Sequence, residues 1–205
     1  MTATWGLKLR SCATIRSMAL TQVKSQLMSA SEIDRTLVRL AHEILENTKD
    51  LDKLAFIGIR RRGVPLAQRL AAKIEALEKR TIPVGILDIT LYRDDLTTIG
   101  HKPVLNGTDI SFSVQGKEII LMDDVLYTGR TIRSALDGLF DYGRPARVQL
   151  LVLIDRGHRE LPIEARYIGR MVQTSDEEII EVKFQEIDDM EKVLLVERTA
   201  SGVTA

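Results

Sequence analysis

Cysteine is almost absent. Cys12 is the only one, so no intrachain disulfide can form, as suits a reducing, cytoplasmic setting. Three histidines, His42, His101 and His158, stand far apart; with a single cysteine they offer no spacing that holds a transition metal. No apolar run is long enough to span a bilayer, so no membrane partner is expected. Neither charge is in excess: 29 Lys and Arg balance 29 Asp and Glu among 205 residues. Residues 1–27 hold Lys8, Arg10, Arg16 and Lys24 and no acid, leaving 25 basic against 29 acidic residues beyond them. That balance excludes a basic footprint for nucleic acid across the whole domain, while leaving room for a local basic face. Two nucleotide-binding signatures are also missing: G-x-x-x-x-G-K-[ST], and G-x-G-x-x-G after a strand.

What is present is enough apolar material, 44%, for one domain of ordinary size. The domain is expected at residues 28–198. Residues 1–27 read as a disordered extension or as sequence ahead of a later start at Met18 or Met28, with some likeness to a transit peptide; residues 199–205 read as a frayed tail. Ser31 opens a helix in which Ile33, Leu37, Leu40, Ala41 and Ile44 recur at helical spacing. Leu54 to Ile59 predicts a buried strand, and Val64 to Leu77 a helix with Pro65 in its first turn. Strands are predicted at Val84–Leu91, 117–122 and Val148–Ile154, with a helix from Ile132 to Phe140. Shorter strands are predicted near 110–114, 179–184 and 193–196. Alternating strands and helices predict an α/β fold: an open, mainly parallel, twisted sheet with helices on both faces. Ligands in such folds sit beyond the carboxyl ends of the strands.

Three segments fall at that edge. Residues 119–131 run from an apolar strand through Asp123 and Asp124 into Val125, Leu126, Tyr127, Thr128, Gly129, Arg130 and Thr131, where the next helix begins. Backbone N–H groups and the positive helix end suit a phosphate, and carboxylates just upstream can accept hydrogen bonds from sugar hydroxyls. Together they describe a site for a phosphorylated ribose. Arg60, Arg61, Arg62 and Gly63 follow another strand. Three guanidiniums suit a diphosphate, with Gly63 expected to let the backbone approach the anion. Asp155 to His158 follows a third strand, with Arg156 expected near a base. Residues 92–107 lack periodicity and read as a closing loop, from which Arg93 would reach the leaving diphosphate.

The run at 123–131 resembles the phosphoribosyl-diphosphate (PRPP) motif of type I phosphoribosyltransferases. With Ile57–Gly63, Asp88–Leu96, Asp155–Ile163, Ala41-His42-Glu43 and Tyr167-Ile168-Gly169, the chain resembles the bifunctional pyrimidine-operon attenuator/uracil phosphoribosyltransferase family, PyrR. The resemblance implies a small irregular hood beside the sheet. It implies that uracil and PRPP give UMP and diphosphate with Mg2+, and that the chain forms a homodimer or larger assembly. No dedicated metal site is implied; the ion would arrive with PRPP and could touch Asp123 and Asp124. Arg156 and Ile180 would flank the base. The alternative role implied is a uridine-nucleotide-responsive regulator that binds operon RNA, with His42, Arg159 and Arg170 toward the RNA. Glu160, Glu164 and the apolar Val38 work against such a face.

Overall fold

The computed structural model describes residues 21–92 and 107–198 of the chain. Its elements run β1 (Thr21–Ser29), α1 (Ala30–Asn47), β2 (Leu54–Ile59), α2 (Gly63–Glu78), β3 (Val84–Leu87), a 3-10 turn (Thr90–Tyr92), β4 (Glu118–Leu126), α3 (Arg130–Phe140), β5 (Arg147–Asp155), β6 (Tyr167–Met171), β7 (Glu178–Lys183), α4 (Gln185–Asp188) and β8 (Lys192–Arg198). Five strands form a parallel sheet in the order β3-β2-β4-β5-β6. The chain leaves β2 for one neighbour, β3, and returns to the other, β4. That reversal opens a crevice beyond the carboxyl ends of β2 and β4, where open α/β sheets bind ligands.

Alternate residues of the central strands serve opposite faces. Phe56, Ile120, Met122, Leu151 and Leu153 pack under α1 and α2, whose Leu37, Leu40, Ile44, Leu66, Leu70 and Ile74 are fully buried. Ala55, Ile57, Ile119, Leu121 and Val152 pack against Ile132, Ala135 and Leu139 of α3. Each such Leu or Ile contributes about 1.5–3 kcal/mol of burial, which makes this sheet the rigid part of the molecule. Among the described residues no helix is long and apolar enough to cross a membrane.

The hood is more regular than expected. It is a three-stranded antiparallel sheet, β1-β8-β7, seated by Ile180, Val182, Phe184 and Val193 on the α1/α2 side of the core. Its edge strand β1 begins at Thr21, so residues 21–27 belong to the fold rather than to an extension. Gln22 to Gln26 are exposed and, Val23 apart, polar, and the order of the strand comes from backbone pairing to β8, with two irregularities in register; no apolar pattern marks it. Residues 1–20 and 199–205 lie outside the described residues.

Other boundaries move for local reasons. α1 starts after Ser29, not Ser31, because the Glu32 carboxylate reaches back to accept the Ser29 backbone N–H at 2.8 Å and its hydroxyl at 2.6 Å. β3 stops at Leu87, since the Asp88 carboxylate accepts the N–H and hydroxyl of Thr90 and turns the chain. No strand forms at 110–114; a single bridge joins Ile86 to Asp109. β4 continues through both acids to Leu126 instead of ending before them.

Candidate active site

Asp123 and Asp124 lie within β4 where it passes beyond the crevice. Asp123 is buried and Asp124 half-buried, and the Asp124 N–H donates to the Asp123 carboxylate at 3.0 Å. Burial pushes the Asp123 carboxyl well above the ordinary carboxylate range, and the neighbouring Asp124 charge adds to it. Burial also raises Asp124, opposed by a hydrogen bond with Asp123 and by the Arg62 guanidinium. Two buried acids side by side form a pocket that favours a cation or a pair of donated hydroxyls.

The chain then turns at Gly129, whose φ of 92° is open to glycine, and α3 begins with no side-chain cap. The Arg130 N–H donates to the Thr128 hydroxyl at 3.3 Å; the following first-turn N–H groups lack intrahelical partners, and with the helix dipole such groups can seat an anion. The turn is braced from the far side: the Thr128 carbonyl accepts N–H groups of Glu160 (3.0 Å) and Leu161 (3.2 Å), and Arg130 pairs with Glu160 at 2.6 Å.

The basic loop follows β2. The Arg60–Arg61 peptide bond is cis, and the Arg60 N–H donates to the Leu87 carbonyl at 2.9 Å. Arg61 is exposed, with no hydrogen bond or ion pair among the described residues. Arg62 donates to Asp188 of α4 at 2.8 Å. Gly63 has a different task from the expected one. A Cβ there would lie 2.1 Å from the Met122 carbonyl oxygen, so its missing side chain lets α2 close onto β4 rather than admitting an anion.

These parts meet in one cavity of about 340 Å3, lined by Arg60, Arg61, Arg62, Asp123, Asp124, Val125 and Thr131. It also takes in Ile59, Asp88, Ile89 and Thr90, which sequence reasoning did not name as site residues. The available signal was Asp88, an acid at the carboxyl end of a parallel strand. Leu126 and Gly129 do not line the cavity; Leu126 is packed in the α3-side core. Tyr127, Thr128 and Arg130 do not line it either. Arg93 lies outside the described residues.

The base side is built differently. Arg156 is buried, its guanidinium 3.9 Å from the Tyr127 ring centroid, and it donates to the Thr174 hydroxyl at 3.1 Å and the Ser175 carbonyl at 3.3 Å. The His158 ring meets Tyr127 edge-on, contacts the Thr174 carbonyl at 2.6 Å and lies 3.2 Å from Asp176. Neither Arg156 nor Ile180 lines the cavity, and Ile180 packs in the core beneath the hood.

The three residues expected toward RNA are held differently. His42 is exposed on α1. Arg170 donates to the Leu27 carbonyl. Arg159 turns inward: it pairs with Asp155 at 2.5 Å and donates to the carbonyls of Leu126, Tyr127, Gly157 and Ile163. It braces the turn and the base loop against each other, so its guanidinium is not presented outward.

The phosphoribosyl transferase domain family matches residues 24–187. The bifunctional protein PyrR of Pelotomaculum thermopropionicum is 58% identical over 174 residues, covering 85% of this chain and 96% of that protein. The bifunctional protein PyrR of Thermus thermophilus is 55% identical over 175 residues, 85% and 97% of the two chains. In fold, the chain is similar to a hypoxanthine-guanine phosphoribosyltransferase of Bacillus anthracis, with a TM-score of 0.64, 20% identity and coverage of 86% and 99%. A hypoxanthine phosphoribosyl transferase of Trypanosoma cruzi gives a TM-score of 0.67 at 17% identity, covering 85% and 92%.

Proposed function

Because this chain belongs to the phosphoribosyl transferase domain family, and within it to the bifunctional PyrR proteins, we propose that it is a uracil phosphoribosyltransferase. It joins uracil to PRPP and releases UMP and diphosphate. A ring nitrogen of uracil bonds to the anomeric carbon and loses its proton, while the carbon–oxygen bond to diphosphate breaks. The observation that carries this reading is one cavity in which the adjacent Asp123 and Asp124, an Arg61 without a partner among the described residues, and Thr131 at the start of α3 converge.

Each part has a task. Asp123 and Asp124 accept hydrogen bonds from the ribose hydroxyls and oppose the positive charge that builds on the ring. The turn from Val125 to Thr131 seats the 5′-phosphate through its backbone. Arg60, Arg61 and Arg62 receive the diphosphate, with Arg93 from the adjoining segment. Arg156 borders the base, with Ile180 supporting the hood from below. Positioning and electrostatics carry the reaction without a covalent intermediate.

Magnesium suits these residues. Among the described residues no cluster of three or more His, Cys, Asp or Glu side chains forms a closed cage. Mg2+ is commonly held by one or two carboxylates with substrate oxygens completing the shell, and Asp123 and Asp124 provide the two. When bound, the ion supplies positive charge against the diphosphate oxygens.

Calorimetry with PRPP and Mg2+, followed by a panel of nucleobases, tests the reading. Heat of binding and UMP formed from uracil, with little turnover of hypoxanthine or guanine, are expected. A folded protein that gives no heat overturns it. The cytoplasmic setting and the homodimeric or larger assembly belong to the same proposal, and light scattering checks the assembly.

The word bifunctional in the relatives' name supports a second reading, in which the chain also binds pyrimidine-operon RNA under control of uridine nucleotides. Arg159 then acts by bracing a loop, leaving His42 and Arg170 as candidate contacts. Filter binding of leader RNA at several salt concentrations, with and without UMP, decides it. Tight, UMP-responsive binding is expected of a regulator, and weak, salt-sensitive binding overturns that role.

A further inference from the structure

Two arginines seven residues apart, Arg62 and Arg69, stand about two helical turns from each other, so both reach the same side of α2. Both grip the hood at α4. Arg69 forks onto Glu186 with two bonds of 2.8 Å, adds Glu191, and lies 5.1 Å from the Phe184 ring centroid. Arg62 donates to one Asp188 oxygen at 2.8 Å. The other Asp188 oxygen accepts the Phe184 N–H at 3.1 Å, while the Lys183 ammonium stands 3.9 Å from the oxygen that Arg62 holds. Asp188 is therefore held by its own turn before it holds Arg62, and its side chain is only 14% exposed.

Arg62 also lines the substrate cavity, between α4 and the aspartate pair. Its Nε is buried without a hydrogen-bond partner among the described residues. One edge of the guanidinium is thus fixed to the hood, and the side chain makes no other hydrogen bond among the described residues. Arg61, one residue earlier, has no such anchor. A side chain already held in place loses less freedom when it meets an anion than a free one does.

We infer that Asp188 is a positioning residue for the diphosphate end of the substrate: by fixing Arg62 from the hood, it sets that guanidinium at the cavity rim before PRPP arrives. The inference rests on the proposed phosphoribosyltransferase function. It concerns one contact, since the neighbouring Arg69–Glu186 pair fastens the same helix to α2 without touching the cavity.

The test compares Asp188→Asn, Asp188→Glu and Glu186→Gln in steady-state kinetics, thermal melts and calorimetry with PRPP and Mg2+. Asp188→Asn is expected to raise the PRPP KM and Kd about tenfold, leaving kcat and the uracil KM within about twofold. Asp188→Glu keeps the charge one methylene farther out and should recover part of the loss. Glu186→Gln is expected to lower Tm without moving the PRPP KM. An unchanged or lower PRPP KM in a folded Asp188→Asn overturns the inference, the latter meaning that Asp188 competes with substrate for Arg62. An equal rise in Glu186→Gln overturns it as well, because loosening of the hood would then be the cause. If Asp188→Asn does not fold, Asp188→Glu with unaltered PRPP binding overturns it alone. Wild-type protein that gives no heat with PRPP defeats the proposed function together with the inference; wild type that binds while the Asp188 variants bind equally well defeats the inference only.

Discussion

The parallel sheet and the hood differ in what holds each of them in place. Every residue of β2 is buried, as are Ile119 to Asp123 in β4 and Leu150 to Asp155 in β5, covered by helices on both faces. In the hood, β7 alternates buried and half-buried residues, and ion pairs from Arg62 and Arg69 fasten α4, only the first of them at the rim of the site. Apolar packing is dense and indifferent to salt; ion pairs shift with ionic strength and partner geometry. The end of the candidate site proposed for the ribose phosphate stands on the first kind of structure. The end proposed for the base, around Arg156, Tyr127 and Thr174, stands on loops joined by polar contacts. Chemistry that needs fixed geometry is thus placed on the frame, and recognition on segments that differ more readily between chains.

The largest effect should come from the chemistry on the frame. Replacing Asp123 and Asp124 together by Asn keeps their shape and removes their charge. UMP formation is expected to fall on the order of a thousandfold or more while the melt stays cooperative. Near-normal turnover would place the reaction elsewhere. The frame itself is tested at Gly63. In Gly63→Ala the new methyl meets a backbone carbonyl 2.1 Å away, which neither α2 nor β4 can avoid without moving. A loss of about 3–5 kcal/mol, in the tail of point-mutant effects, is expected in denaturant titration, with a fall in Tm of roughly 10 °C. An unshifted melt would mean that the frame yields where it is described as rigid.

Arg159→Ala tests the other side of the comparison. It removes an ion pair and several carbonyl contacts at a partly exposed position, so a loss of about 1–3 kcal/mol is expected. Because the damage falls between the turn and the base loop, the uracil KM should rise more than the PRPP KM. Equal effects on both would mean that the two ends of the site are not mechanically separate.

The same contrast explains what could be read from the chain. α1, β2, α2, α3 and β5 announce themselves because their burial is periodic or continuous, and periodicity is visible without knowing the fold. The PRPP-type turn is equally legible, since its acids, glycine and hydroxyls lie within nine residues of one another. β1 and β6 are not. β1 is an exposed edge strand, and the Tyr-Ile-Gly-Arg-Met of β6 is too short to show a pattern. Asp88 enters the cavity only because β3 is placed beside β2. Arg159 looks like a surface charge in a polar segment, and nothing local shows that carbonyls from Leu126 and Tyr127 converge on it. Gly63 suggests an anion site in the sequence because the strand it packs against lies some sixty residues further along the chain.

The smallest effect concerns pH, and it separates buried charge on the frame from the paired charges of the hood. Burial raises the Asp123 and Asp124 carboxyls in the folded state. From an ordinary carboxylate pKa of about 4 upward, the folded protein therefore retains protons that the unfolded chain has released. Folding stability falls as pH rises through that window, up to the raised values. Asp188 and Glu186 have the opposite sign. Arg62 and Arg69 lower them, against the pull of burial, so their contribution is present above the ordinary value and fades as pH falls through the lowered one. Thermal melts of wild type and the Asp123→Asn, Asp124→Asn double variant should coincide near pH 4 and separate by a few degrees as pH rises, the variant being the more stable. A variant less stable than wild type at neutral pH would mean that the two acids are satisfied by partners inside the fold and are not held ready for a ligand.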